Sequence, residues 1–168
     1  MNPMQEVFVD LIQPIPLSFI TVDPGLGGTG WAYFETAMSA PIHFGTVNDQ
    51  KGTWPSRSKK IADEIAGIIH GLGDPPVLME WPGFWGGSVK SFSSMERGDL
   101  FKLCYLIGSI SQSLMILPRL VAPILWKGQM TKHMTKRRLI MRLGEEFNNI
   151  SEHCVDAIGM GLALGGLL

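Results

Sequence analysis

The order of β- and α-forming segments along this 168-residue chain predicts an α/β fold, with a mixed five-stranded sheet flanked by helices. Three short β-forming segments joined by short connections come first, which is typical of an antiparallel meander. Helical and β-forming segments then alternate, which is typical of crossovers that add parallel strands. No repeat or long linker divides the chain, and its length suits one domain. We therefore expect a three-strand meander on one side of the sheet and parallel strands on the other.

Prolines and apolar periodicity set the boundaries of the predicted elements. Three prolines interrupt residues 1–16, which predicts an extended arm ahead of one domain over residues 17–168. Isoleucines at helical spacing predict an amphipathic first helix, and a long apolar run predicts the second. The predicted strands cover residues 17–22, 31–34, 42–47, 77–80 and 120–126, and the predicted helices cover residues 57–72, 96–117, 131–147 and 151–164.

Charge and hydropathy argue against a globally basic protein, a secreted protein and a membrane-spanning protein. The formal net charge is −1, so the chain as a whole is not basic. Residues 100–144 nevertheless contain no acid and hold eight of the 14 lysines and arginines, so this basic segment can face phosphates or can simply be a solvated helix face. The N-terminus lacks the basic region of a signal peptide, and the longest apolar run contains polar residues. We expect a soluble, cytoplasmic protein with no membrane span.

The predicted helix over residues 96–117 is apolar at more positions than one core-facing stripe requires. A two-fold interface would bury the remainder, so we expect a homodimer. Cys104 in this helix and Cys154 nearer the C-terminus lie in apolar contexts without a CxxC spacing, which predicts buried, reduced thiols.

Two acids follow strands in a way that suggests a shared site. A β-rich run ends at Asp23, and a glycine-dense turn over residues 24–28 follows it. Glycine lets the backbone adopt φ > 0 and approach a neighbour closely, so Asp23 is displayed beside a tight hairpin. Glu80 likewise ends an apolar strand, where a buried acid without a partner or metal is costly, although its side chain can instead reach solvent. If these strands are neighbours, both carboxylates leave the sheet at one edge.

A third acid lies on the last predicted helix. His153 and Asp156 stand three residues apart, so they share a helix face, and Asn149 or Ser151 can cap that helix. Glu152 points elsewhere, either to solvent or as a capping partner. The alternatives are an Asp156 paired with a basic neighbour and a His153 with a purely structural role. Three carboxylates with one imidazole fit Mg²⁺ or Mn²⁺ better than structural zinc, and two such ions about 3.5–4 Å apart can hydrolyse a phosphodiester.

Aromatic and basic side chains near these acids indicate a nucleic-acid substrate. The loop over residues 81–94 contains Phe84 and Trp85, which can stack on unpaired bases or fold back onto the core. The basic side chains expected to contact phosphates are Lys127, Lys132, Lys136, Arg137 and Arg138.

The motifs that carry most information are Val22-Asp23-Pro24-Gly25 with Thr29-Gly30-Trp31-Ala32, Met79-Glu80, Trp126-Lys127-Gly128 with Lys132, and His153 with Val155-Asp156-Ala157-Ile158-Gly159. In this order and spacing they resemble the RuvC-type Holliday-junction resolvases of the RNase H-like superfamily, particularly the compact phage and bacterial versions. The resemblance covers most of the chain, from about residue 18 to about residue 164, and leaves the N-terminal arm without a counterpart.

The resemblance implies an RNase H-like fold and a dimeric endonuclease of DNA recombination and repair. Such an enzyme uses Mg²⁺, or Mn²⁺ as a substitute, and nicks four-way DNA junctions symmetrically. By position, Asp23, Glu80 and Asp156 would be catalytic metal ligands, and His153 stands where family members carry an acid or a histidine. Lys132 resembles a catalytic lysine near the scissile phosphate.

The resemblance also places Phe84 or Trp85 near a junction-probing aromatic of some members.

Three other functions compete with that of a junction-resolving endonuclease. Phosphotransferases of the actin or sugar-kinase type also have an Asp and a glycine-rich phosphate loop after a strand. They need a duplicated fold, however, for which 168 residues are too few. The retained acids argue against a non-catalytic nucleic-acid-binding protein on the same fold. A nuclease of the superfamily that acts on other branched DNA or on RNA/DNA hybrids stays open.

Overall fold

The structure is a computed structural model and describes residues 14–82 and 96–168. Most of the predicted arm over residues 1–16, and the loop segment that contains Phe84 and Trp85, lie outside the described residues. The strands are Phe19–Asp23 (β1), Thr29–Phe34 (β2), His43–Val47 (β3), Val77–Glu80 (β4) and Arg119–Val121 (β5). The helices are Trp54–Gly71 (α1), Asp99–Leu114 (α2), Pro123–Trp126 (α3), Lys132–Leu143 (α4) and Glu152–Leu164 (α5), with a 3₁₀ turn over Glu145–Asn149.

The five strands form one mixed sheet in the order β3-β2-β1-β4-β5. β2 pairs antiparallel with both β1 and β3, while β4 pairs parallel with both β1 and β5. The predicted mixed sheet is therefore confirmed, and β1 is its central strand. Val22 lies opposite Met79 in the parallel pair, so Asp23 and Glu80, the next residues of the two strands, leave the sheet side by side at the same edge.

Side-chain alternation along β1 divides the interior into two cores. Ile20 and Val22 face α1 and α2, whereas Phe19 faces α5. Burying a large apolar side chain of this kind stabilises the fold by roughly 1.5–3 kcal/mol. Thr21 lies on the α5 face, and its hydroxyl donates to the carbonyl of Ala157 at 2.8 Å. Asp23 follows the same alternation, so its carboxylate is directed toward α5.

Helix ends follow from particular residues. α1 begins at Trp54, three residues before the predicted start. Pro55 fits in its first turn, because the N–H that a proline lacks would be unpaired there anyway. α2 is shorter than the predicted 96–117: it starts after Gly98 at φ 70° and stops before Met115 at φ 57°. Both conformations are left-handed and cannot continue a helix. None of the described helices is long and apolar enough to cross a membrane.

Three predictions about the second half of the chain are wrong in detail. Residues 120–126 do not form one strand, because β5 ends at Val121 and Pro123 opens the short helix α3, where its fixed φ suits a first helical turn. Cys104 is exposed on α2, whereas Cys154 is buried as predicted, and burial raises the pKa of the Cys154 thiol to about 12. The predicted helix over residues 131–147 ends at Leu143 and gives way to the 3₁₀ turn.

Candidate active site

Three carboxylates from three separate elements meet at the edge where β1 and β4 end. Asp23 closes β1, Glu80 closes β4, and Asp156 lies in the second turn of α5. All three are largely buried: the exposed fraction of the side chain is 15% for Glu80 and 5% for Asp156. Glu80 therefore does not simply reach solvent, and the structure brings together the acids that the sequence singled out.

Burial and the charges of neighbouring acids make Glu80 and Asp156 hard to ionise. Burial raises the pKa of Glu80 from 4.5 to about 7, and the negative charges of Asp23 and Asp156 act in the same direction. The Lys127 ammonium and the indole of Trp126, whose Nε1 donates to Glu80 Oε2 at 2.8 Å, oppose the shift. Burial also raises the pKa of Asp156. Strongly perturbed acids gathered at one sheet edge are typical of functional sites.

Lys127 lies between two of the acids, although the sequence predicted it only as a phosphate contact. Its Nζ is 3.6 Å from Asp156 Oδ2 and 3.9 Å from Glu80 Oε2, and it lies over the ring of Trp126 at 4.8 Å from the centroid. The short helix α3 produces this placement, because it ends at Trp126 directly beside the strand edge. Asp156 is thus paired with a basic neighbour at one oxygen, while its buried Oδ1 has no hydrogen-bond partner among the described residues.

His153 is the direct partner of Asp23. Nδ1 of its ring lies 2.7 Å from Asp23 Oδ2, and this hydrogen bond raises the pKa of His153 although burial opposes it. The ring also packs on the turn after β1, since a Cβ added to Gly25 would lie 2.1 Å from His153 Cε1. A Cβ at Gly30 would lie 2.1 Å from the His153 carbonyl oxygen. These two positions need glycine so that α5 can approach β1 and β2.

Glu152 in the first turn of α5 pairs with a second lysine, Lys132 of α4, at the rim of the site. Ser151, and not Asn149, caps the helix by accepting from the Cys154 amide at 3.1 Å. Glu152 is exposed, and its Oε2 lies 3.2 Å from Lys132 Nζ, which is also 4.0 Å from Asp156 Oδ2. Burial lowers the pKa of Lys132, but the Glu152 hydrogen bond and the nearby negative charges outweigh it and give a net increase.

A cavity of about 340 Å³ opens beside Asp156, between the first turns of α4 and α5. Lys132 and Lys136 line it, so two of the predicted phosphate contacts lie next to the acids. Arg137 and Arg138 are exposed on α4. The structure therefore separates the predicted basic residues into two groups. Lys127, Lys132 and Lys136 lie at the site, whereas Arg137 and Arg138 lie on the surface of α4.

The chemistry of the donor set fits a hard divalent cation. The oxygens belong to carboxylates, and within the described ranges of the chain the buried Oδ1 of Asp156 has no hydrogen-bond partner. Burial disfavours the negative charge of Glu80 and of Asp156. Within residues 14–82 and 96–168, however, no group of three His, Cys, Asp or Glu side chains is arranged to hold an ion. Lys127 and His153 hold oxygens that a metal would need, so binding a cation requires these contacts to be exchanged.

Comparisons with known proteins bear on the fold. No protein-family model matches the sequence, and no curated protein matches it either. A structure of Thermus thermophilus RuvC in complex with a Holliday junction substrate matches with a TM-score of 0.65 and 14% identity, over 88% of this chain and 92% of that one. A second Thermus thermophilus RuvC structure matches with a TM-score of 0.62 and 14% identity, over 87% and 91% of the two chains. The chain therefore has the RNase H-like fold of the RuvC structures, as the sequence predicts.

Proposed function

We propose that this protein is a divalent-metal-dependent endodeoxyribonuclease that resolves four-way DNA junctions by paired symmetric nicks. The observation that carries the proposal is the group of Asp23, Glu80 and Asp156, buried together at one sheet edge of a RuvC-like fold. Packing alone does not account for three acids that repel one another inside a protein. The RuvC structure that contains a Holliday junction substrate supports the choice of substrate.

Asp23, Glu80, Asp156 and His153 would hold Mg²⁺, or Mn²⁺ in its place. A bound divalent cation supplies water activation and stabilises negative charge on phosphate oxygens. Asp23 orients His153, because accepting from Nδ1 leaves the neutral imidazole with Nε2 as its acceptor atom. The Lys127 ammonium partly neutralises Glu80 and Asp156, and a bound divalent cation would supply positive charge to the same acids.

The basic residues would bind the DNA backbone. Lys132 and Lys136 line the cavity beside Asp156. Arg137 and Arg138 extend this charge along the exposed surface of α4. No acid interrupts the segment from residue 100 to residue 144, so a phosphate backbone meets little repulsion there.

A homodimer would place two such sites on opposite strands of a symmetric junction. α2 and the residues after it expose large apolar side chains, among them Phe101 at 72% and Leu117 at 94%. An isologous interface would remove this surface from water. Light scattering should therefore show a dimer, and a monomer with full junction-cutting activity would contradict this part of the proposal.

Substrate choice decides between the proposed function and its alternatives. Purified protein is incubated with a four-way junction, a fork, an RNA/DNA hybrid and a linear duplex, each with Mg²⁺, with Mn²⁺ or with EDTA. We expect paired nicks at symmetric positions of the junction, with a divalent cation only, and none from Asp23→Asn. Preferred cutting of the hybrid or the fork would favour another nuclease of this fold. Junction binding without cutting under every metal condition would favour the non-catalytic alternative, which the position of Lys127 among the acids supports.

A further inference from the structure

The glycine-rich turn that follows Asp23, residues 24–28, is held in place from α1. Arg57, in the first turns of that helix, donates from Nη2 to the carbonyl of Leu26 at 2.9 Å. Its Nε donates to the carbonyl of Asp49 at 2.7 Å. One planar guanidinium therefore ties the turn to the loop that precedes α1.

A second side chain of the same loop reinforces this tie. Gln50 Nε2 donates to the carbonyl of Gly27 at 2.9 Å, and Gln50 Oε1 accepts from Arg57 Nη2 at 3.3 Å. The ring of Trp54 lies against the guanidinium, with the Arg57 Cζ 5.2 Å from the ring centroid. The acceptors of these bonds are neutral oxygens, so the bonds fix geometry more than they neutralise charge.

The opposite side of the turn contacts the candidate active site. Gly25 packs against the His153 ring so closely that a Cβ there would overlap it. Asp23, the residue before the turn, is the hydrogen-bond partner of that ring. A movement of the turn would therefore shift both members of the Asp23–His153 pair.

We propose that Arg57 is a positioning residue that holds the Asp23–His153 pair in its working geometry through the turn. The proposal rests on the nuclease function proposed above. Arg57 itself need not touch the DNA. Its fork spans two carbonyls on separate segments, which the single ammonium of a lysine cannot do with the same geometry.

The test compares three variants on α1 in single-turnover nicking of a four-way junction. Arg57→Ala removes the bridge, and Arg57→Lys keeps the charge but not the planar guanidinium. Lys59→Ala is the matched control, because Lys59 is exposed on the same helix and pairs with Asp63 at the surface. We expect Arg57→Ala and Arg57→Lys to lower the nicking rate at saturating protein by about 10- to 100-fold, as loss of a positioning partner typically does. Junction affinity should stay at the wild-type level, and Lys59→Ala should behave as wild type.

A structural measurement makes the test independent of the nuclease proposal. Hydrogen exchange of the amides of residues 25–28 should become faster in both Arg57 variants and stay unchanged in Lys59→Ala. If Arg57→Ala does not fold, Gln50→Ala removes the neighbouring tie from an exposed loop and should shift rate and exchange in the same direction. If the wild type nicks no substrate, the nuclease proposal fails and the exchange data alone decide whether Arg57 holds the turn.

Several results would overturn the role of Arg57. A wild-type rate in Arg57→Lys would show that its charge suffices and that the bridge is unimportant. A loss of junction affinity with an unchanged rate at saturation would make Arg57 a DNA contact. Unchanged amide exchange in Arg57→Ala would show that the turn holds its position without it.

Discussion

Replacing Glu80 by glutamine should make the metal-free protein more stable above neutral pH. Burial and the charges of Asp23 and Asp156 raise the pKa of Glu80 from 4.5 to about 7. A folded-state pKa above the unfolded value means that the proton stabilises the folded state, so this stability is complete below pH 4.5 and is lost as the pH rises through 7. At about 1.4 kcal/mol for each tenfold change in proton affinity, the ionised carboxylate lowers the free energy of unfolding by about 3 kcal/mol.

Glutamine keeps the shape of the neutral acid and an oxygen that can accept from Trp126, but it cannot ionise. We therefore expect Glu80→Gln to raise the free energy of unfolding by about 3 kcal/mol at about pH 8, and by less than half as much at about pH 5.5. For a chain of this length, the increase in the free energy of unfolding at about pH 8 corresponds to a thermal unfolding midpoint about 6–12 °C higher.

Urea and thermal unfolding in EDTA at the two pH values measure the effect. Glu64→Gln, an exposed substitution on α1, is the matched control and should change neither value. Adding Mg²⁺ or Mn²⁺ should stabilise the wild type more than Glu80→Gln, because a ligand that binds only the folded state stabilises it by mass action. A Glu80→Gln protein that is no more stable than wild type at the higher pH would refute the reasoning about this site.

The remaining predictions concern cutting and binding. Asp156→Asn should reduce nicking to background and leave junction affinity intact, because it removes a metal ligand and not a basic residue; affinity lost in parallel by a folded variant would contradict the assignment. His153→Asp should retain most nicking, since a carboxylate can bind the same ion, whereas His153→Ala should cost about 100-fold or more. Equal tolerance of both changes would make His153 a bystander. Replacing Lys136, Arg137 and Arg138 together by alanine should flatten the slope of log affinity against log salt by up to about 3, and an unchanged slope would mean that these charges only coat the helix.

The strand pattern and the three acids were predictable from the sequence because they depend on local signals. The first four predicted strands are found with ends shifted by no more than two residues. Asp23 and Glu80 each interrupt an apolar run at its end, and that position fixes the sheet edge at which an acid emerges. Asp156 stands alone among apolar residues of α5, and an acid that would be buried without a reason marks a site.

Contacts between distant elements were not predictable in the same way. Trp126 was placed in a strand, because its apolar neighbours resemble one, but Pro123 turns this segment into a helix that brings the indole to Glu80. Lys127 was predicted as one more cation of a basic segment, and only the three-dimensional path of α3 shows it between two acids. Arg57 carries no motif at all, since its partners are backbone carbonyls that any sequence supplies.

Under the proposed function, protons, Lys127 and a divalent cation would compete for the same few carboxylate oxygens at this site. Burial raises the pKa of Glu80 because the sheet edge gives its charge little water, and the same burial strengthens its attraction to any cation that enters. The tethered ammonium of Lys127 lies 3.6 Å from Asp156 Oδ2, yet Oδ1 of that residue has no hydrogen-bond partner in the part of the chain that the structure describes. An ammonium is a single charge with a fixed tether, whereas a divalent ion can serve several oxygens at once. If a divalent cation binds here as proposed, its binding should release the proton that Glu80 holds near neutral pH.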